Sequence, residues 1–212
     1  MTPHNIFNMA MLKKLDIIAI TDHNSCKQLP ISEEIAKSYD MLFIPGVEIS
    51  VREGFHVLCY FKTVKEAMRF DSILETYIKH EEVDQALYNE QILTNEFDEA
   101  VDTYPYLLTN DTALSFDQLL EILKDFKVIL GYAHIDRHKH SGLNQIHQKP
   151  LDFVEITTKA TDAFIEHNLL DRYPILMNSD AHQIVDISEK KYNHINLEKL
   201  NIDAFFRYFH HG

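Results

Sequence analysis

Apolar residues in this chain fall into short runs, and most of the runs stop at a polar residue able to bind metal. Residues 15–20 are mostly apolar and lead to Asp22 and His23. Leu42-Phe43-Ile44 leads to Glu48, Val128-Ile129-Leu130 to His134, residues 151–154 to Glu155, and Ile175-Leu176-Met177 to Asp180 and His182. Residues 55–61 form a further run, with His56 near its start. Runs of this length read as buried strands. Asp180 and His182 are spaced i, i+2, so in an extended segment both side chains point the same way. Many strands that each end in a polar residue predict one site at the C-terminal rim of a parallel barrel.

Helical patterns separate these runs, which is the α/β signature. Thr2-Pro3 is a helix start, since Thr can cap and Pro fits the first helical position; Ile6, Met9 and Ala10 then carry a helix to about residue 14. Residues 32–39 read as a short polar helix. Residues 62–93 read as one long helix with Ala67, Phe70, Leu74, Tyr77 and Ile78 on one face. From about 94 to 114 the periodicity fades and Glu96, Asp98, Glu99 and Asp102 collect, which predicts a solvated acidic insertion. Ser115 with Gln118 forms a capping-box pattern for a helix over 116–126. A helix starting near Thr161 and a closing helix within 197–210 complete the pattern. No internal repeat or linker interrupts it, so a single domain over 1–212 is expected.

At 212 residues, 45% hydrophobic and 25% charged, the chain is long enough to bury a proper core. Its formal charge of −13 argues against a nucleic-acid partner, because phosphate backbones call for a basic surface. The charge leaves anionic substrates open, since bound divalent cations reverse the sign locally. Two cysteines are too few for a disulfide framework. The first residues do not form a signal peptide and no apolar run reaches membrane-spanning length, so a cytoplasmic protein without membrane association is expected. Five glycines with no run of them exclude a Gly-rich phosphate loop.

Taken singly, each polar strand end is weak evidence: a lone His is more often a core or surface residue, and a lone Asp more often a helix cap. Together, Asp22, His23, Glu48, His56, His134, Asp180 and His182 make a His and carboxylate mixture of the kind that zinc, manganese or iron prefers. Thr21-Asp22-His23, Gly46-Val47-Glu48-Ile49, the strand residue His56, Ala133-His134 and Ser179-Asp180-Ala181-His182 resemble, in order and spacing, successive motifs of the PHP family, the polymerase-and-histidinol-phosphatase metal-dependent phosphoesterases. The resemblance spans roughly residues 1–186. It implies a distorted (β/α)7 barrel with up to three divalent metals at its rim, and hydrolysis of phosphate esters by metal-activated water.

By that resemblance Glu48, His56 and His134 hold one metal, Glu48 and Asp180 contribute to a second, and His23 and His182 to a third. Asp22 would orient His23. Arg137 lies where many members place a phosphate-binding cation; as a rim arginine it could instead pair with Asp136. Lys159 is a weaker phosphate candidate, and Glu155 reads as a rim or supporting residue. The family's first strand carries a His-x-His pair that has no counterpart here, and His4, at a helix start, does not replace it. The resemblance therefore implies a barrel missing its first strand, with an unpaired edge prone to self-association. His138, His140 and His147 read as polar-loop residues. The leading function is hydrolysis of a small phosphate ester. The alternatives are a non-catalytic metal-binding or regulatory module and a nuclease-type module.

Overall fold

The computed structural model describes residues 1–81, 90–187 and 193–210. In chain order its strands and α-helices are α1 (Pro3–Leu12), β1 (Ile17–Ile20), α2 (Leu29–Ala36), β2 (Leu42–Ser50), β3 (His56–Phe61), α3 (Val64–Leu74), β4 (Ile92–Thr94), β5 (Ala100–Thr103), α4 (Phe116–Leu123), β6 (Val128–Tyr132), β7 (Phe153–Ile156), α5 (Asp162–His167), β8 (Ile175–Met177) and α6 (Ile202–His210). Six strands form one sheet in the order β1-β2-β3-β6-β7-β8, curled as a half-barrel, and β4 pairs with β5 in a separate hairpin. No helix among the described residues is long and apolar enough to cross a membrane.

The sheet is mixed, which corrects the parallel arrangement expected from the sequence. β1/β2, β6/β7 and β7/β8 are parallel, whereas β3 runs antiparallel to both β2 and β6. The cause is the connection between β2 and β3. Residues 51–55 are too few for a crossover, which takes a dozen or more residues, so the chain must turn back. Gly54 provides the turn at φ +84°, a conformation that costs glycine little. The reversal keeps His56 in the site: as the first residue of an antiparallel strand, it lies at the rim where β2 ends, opposite Ser50.

β2 also runs well beyond the expected apolar triplet, through Pro45 and Gly46 to Ser50. Glu48 is therefore a buried strand residue and not part of a loop after a strand. Two-residue alternation then sorts the sheet. Val47, Ile49, Val57, Cys59 and Phe61 join the core beneath helices α1 to α4. Ile44, Leu58, Tyr60, Ile129, Phe153 and Leu176 occupy the other face and meet Phe205, Phe206 and Phe209 of α6. Burying each of those phenylalanines contributes about 1.5–3 kcal/mol. Gly131 lets the Phe153 ring lie flat against β6, and that ring stacks on Tyr60 at 5.4 Å. Strand alternation places Glu48, His56 and Glu155 on this same inner face, toward the rim.

The capping box forms as expected: the Ser115 amide donates to Gln118 Oε1 at 3.0 Å, and the Gln118 amide to Ser115 Oγ at 3.3 Å. At α1 the Thr2 hydroxyl instead accepts from Asn5 Nδ2 at 2.9 Å, so the helix entry rests on Pro3. The long helix expected over 62–93 ends at Leu74, and a single 3-10 turn carries the chain to an extended Ile78. Residues 82–89 of that expectation lie outside the described residues. The acidic stretch holds β5 and the end of β4, and β5 is exposed throughout. Cys26 and Cys59 are both buried and free.

Candidate metal centre

Glu48 is the hub of the rim. Its Oε1 lies 2.6 Å from His56 Nδ1 and 3.0 Å from His134 Nε2, and those two nitrogens are 3.2 Å apart. His23 follows β1, is bridged to Glu48 in parallel fashion, and places its ring 5.3 Å from that of His56. The His182 ring stands 5.8 Å from His23 on the other side. Backbone hydrogen bonds fix this geometry: Glu48 N–H donates to Asp22 O at 3.1 Å and Asn24 N–H to Glu48 O at 2.9 Å. The Asn24 side chain accepts from Ser50 N at 2.9 Å and donates to the carbonyls of Leu108 and Asn110. Asn24, His134 and Asp180 all adopt positive φ, at 52°, 30° and 45°. Non-glycine residues in that region cost free energy, and such strain gathers at functional sites.

Glu155 lies beneath the hub, buried, with Oε2 accepting from His134 N at 3.0 Å and Oε1 from Asn178 Nδ2 at 2.7 Å. It thereby locks the backbone that presents His134. Asp180 sits at the cleft wall and forms an ion pair with Arg137. The alternative pairing of Arg137 with Asp136 is not made: Asp136 accepts from the Thr157 amide at 2.8 Å and from its hydroxyl at 2.6 Å. Asp22 is exposed and lines a cleft of about 820 Å³ together with His23, Glu48, Glu155, Asp180 and His182. His23 Nδ1 has no hydrogen-bond partner, so Asp22 does not orient His23 through that atom. A second cleft of about 1030 Å³ shares Asp180 and His182 and is lined by Arg137 and Lys159.

The electrostatics suit Glu48 and His23 to a cation, whereas His134 must give up a proton to ligate one. Burial alone would raise the Glu48 carboxyl, but hydrogen bonds from His134 and His56 outweigh it and hold the group well below the usual carboxylate range. Burial pushes His23 down to about 4, against the pull of Glu48, so its ring is neutral at pH 7. Burial would also lower His134, but its hydrogen bond to Glu48 wins and raises it. Glu155 is pushed up to about 7, chiefly by burial, with the Asn178 and His134 bonds acting in the opposite direction. Ionised carboxylates and neutral imidazoles are the forms that ligate metals.

The residues fit a divalent ion. Tetrahedral ligands at about 2.0–2.1 Å from zinc lie about 3.3 Å apart. The Glu48, His56 and His134 atoms already stand 2.6–3.2 Å from one another. His23, Glu48 and His56 each offer a ligand atom within 4.8 Å of the others. His23 Nδ1 is buried with no hydrogen-bond partner, a costly state for a polar atom that a ligand would relieve.

Several solved structures share this architecture. The lesion-specific endonuclease Q from Pyrococcus furiosus superposes with a TM-score of 0.66 at 16% identity, over 98% of this chain and 50% of that one. Endonuclease Q in complex with a 27-mer duplex carrying an abasic lesion gives 0.64 at 16% identity, over 100% and 52%. A protein assigned as a metal-dependent phosphoesterase from Bifidobacterium adolescentis gives 0.60 at 16% identity, over 100% and 91%. The chain has the PHP-type fold. It spans about half the length of the endonuclease Q chains. No protein-family model matches it, and no curated protein does.

The comparison overturns one expectation. A net charge of −13 does not argue against nucleic acid for this fold, because a protein with the same architecture has been solved holding duplex DNA. Asp111 and His140 also stand close to His56, although the sequence places both in polar loops with no spacing to mark them.

Proposed function

We propose that the chain is a metal-dependent phosphoric ester hydrolase. The observation that supports it best is the convergence of His56 and His134 on one buried carboxylate oxygen of Glu48, beside a cleft that carries Arg137. In this reading Glu48, His56 and His134 hold one divalent ion, Asp180 contributes with Glu48 to a second, and His23 and His182 to a third, with zinc, manganese or iron all suited to the donors. Bound divalent ions lower the pKa of water and neutralise phosphate oxygens. Arg137 supplies a guanidinium for the substrate phosphate, exchanging its pairing with Asp180 for the incoming anion. Glu155 keeps His134 in place through the backbone amide.

Two substrate classes follow from two observations. The phosphoesterase-type structure is matched over 91% of its length, which favours a compact enzyme acting on a small phosphate ester. The two clefts meet at Asp180 and His182, and the lesion-bound endonuclease Q aligns with the whole of this chain, which favours a nuclease module acting on a strand.

The test is a side-by-side assay with manganese or zinc. One arm uses an aryl phosphate monoester; the other uses end-labelled single-stranded DNA and a duplex with an abasic site. Turnover of the monoester alone supports the small-substrate reading, and strand cleavage alone supports the nuclease reading. Either activity must vanish with chelator and in Glu48→Gln. A protein that binds metal and hydrolyses neither substrate refutes the enzyme proposal in favour of a metal-binding module.

A further inference from the structure

His56 has two ring nitrogens, and the hub uses one of them. Nδ1 lies 2.6 Å from Glu48 Oε1, and an ionised carboxylate only accepts, so Nδ1 carries the proton. With its one N–H on Nδ1, the imidazole bears its lone pair on Nε2. That atom is buried and has no partner, and the His56 side chain is only 8% exposed. A carboxylate on one nitrogen and a free lone pair on the other is the arrangement that prepares a histidine to ligate through the second nitrogen.

The residues beyond the hub supply further donors. Asp111, half-buried, and exposed His140 each place a potential ligand atom within 4.8 Å of the other and of one on His56. The His140 ring stacks on His56 with centroids 4.6 Å apart. Both residues are carried on anchored backbone. His56 N–H donates to His140 O at 3.1 Å, and Thr112, next to Asp111, donates from its amide and its hydroxyl to Ser50 O at 2.9 Å. His140 sits at φ 59°, a strained setting for a residue with a side chain.

We infer that His56, Asp111 and His140 form an outer divalent-cation site beside the Glu48 hub. Two imidazoles and one carboxylate form a donor set suited to zinc, iron or manganese. The three atoms must close from within 4.8 Å to about 3.3 Å. Rotation of the exposed His140 side chain supplies most of that movement. A neutral imidazole has one lone pair, so His56 serves either the outer ion through Nε2 or a hub ion through Nδ1. The two sites therefore compete for one ring. This inference rests on the three side chains and does not depend on the phosphoesterase reading.

The test is equilibrium dialysis of the full chain against zinc, with bound metal counted by elemental analysis. The wild type is compared with Asp111→Asn/His140→Gln and, separately, with His134→Ala. The double variant is expected to lose one weaker class of bound ion, with affinity reduced at least tenfold, and to keep the class that His134→Ala removes. A double variant that binds as many ions as the wild type, with the same affinities, overturns the outer site. Unchanged binding in His134→Ala would count only against the hub assignment, so the two failures are distinct. Each single variant is titrated as well, in case the double variant does not fold. Unchanged binding in both singles overturns the site equally.

Discussion

Glu48→Gln is the substitution that tests the hub most directly. The two side chains are nearly isosteric, so the cavity is unchanged and the effect reports charge and hydrogen bonding. Glu48 Oε1 takes both the His56 and the His134 contact, and hydrogen bonds to charged groups are worth about 1.5–3 kcal/mol each. Gln keeps an acceptor oxygen but loses the charge, and removing a buried charge returns part of the loss. The expected cost to the metal-free protein is about 1–2 kcal/mol. The pH dependence has a definite sign. The folded pKa of Glu48 is depressed below 4.5, so its stabilisation is complete above 4.5 and is lost as pH falls through the folded value. The folded pKa of His134 is raised above 6.5, so its share is complete below 6.5 and is lost as pH rises through the folded value. The difference between wild type and variant should therefore peak between pH 4.5 and 6.5 and shrink on both sides. Divalent-metal affinity should fall by at least 10- to 100-fold, taking the effect of losing a supporting residue as the floor. The assays are urea denaturation of chelator-treated protein across pH, and metal competition against a chromophoric chelator. A pH-independent stability difference, or a metal affinity within twofold of wild type, would refute the hub.

Three further outcomes are expected. Arg137→Ala removes a guanidinium paired with Asp180 and should raise KM for an aryl phosphate about 10- to 100-fold, the value of one or two charge-assisted bonds; an unchanged KM would exclude Arg137 from phosphate binding. Gly131→Ala would put a methyl 2.1 Å from Phe153 Cζ, and that ring is held between Tyr60 and Phe209, so denaturation should show a loss of about 1–3 kcal/mol or more; wild-type stability would mean the inner core yields. Glu155 has a folded value of about 7 against an ordinary 4.5, so the metal-free fold holds its proton more tightly than the unfolded chain does, and stability falls as pH rises from 4.5 through 7. That displacement is worth on the order of 3 kcal/mol, and Glu155→Gln should flatten the slope; an unchanged slope would show that the carboxyl is already ionised.

The strand and helix pattern was largely legible in the sequence because local rules decide it. Ser115 with Gln118 announces its helix, and Thr161 caps α5 as expected, accepting from Phe164 N at 3.2 Å. Glu48, His56 and His134 could be grouped by motif, and the structure brings Glu48 Oε1, His56 Nδ1 and His134 Nε2 together. Strand direction was not legible, because it depends on how few residues join β2 to β3. The extent of β2 was obscured by Pro45 and Gly46, which read as a turn. Pro45 takes a place in the ladder opposite Ile20, and Gly46 leaves room for Thr21 and Tyr60, whose atoms would lie 2.7 and 3.0 Å from an added Cβ. The helical pattern past Leu74 misled because Tyr77 and Ile78 are apolar at helical spacing while the chain there turns away to extended backbone. Asp111 and His140 left no mark, since their proximity arises only when two loops fold over the ends of β2 and β3.

Net charge misled for a more general reason. Binding of a phosphate group is governed by charges within about one Debye length, roughly 8 Å at physiological ionic strength. The chain's excess of acids is a sum over its whole length, and Glu96, Asp98, Glu99 and Asp102, on the β4/β5 hairpin and its turn, line neither cleft. The clefts are lined by Lys13, Lys14, Arg137 and Lys159 and by the acids Asp16, Asp22, Glu48, Asp136, Glu155, Asp180 and Asp186. A divalent ion on Glu48 and Asp180 would offset their two negative charges, and Arg137 and Lys159 would add positive charge on the neighbouring cleft wall. Under the proposed reading, a cation held on a buried acidic hub would let an acidic protein take an anionic substrate. Raising ionic strength should weaken substrate binding far less than it would for a protein that relies on a broad basic surface, because only a few short-range contacts neutralise the phosphate.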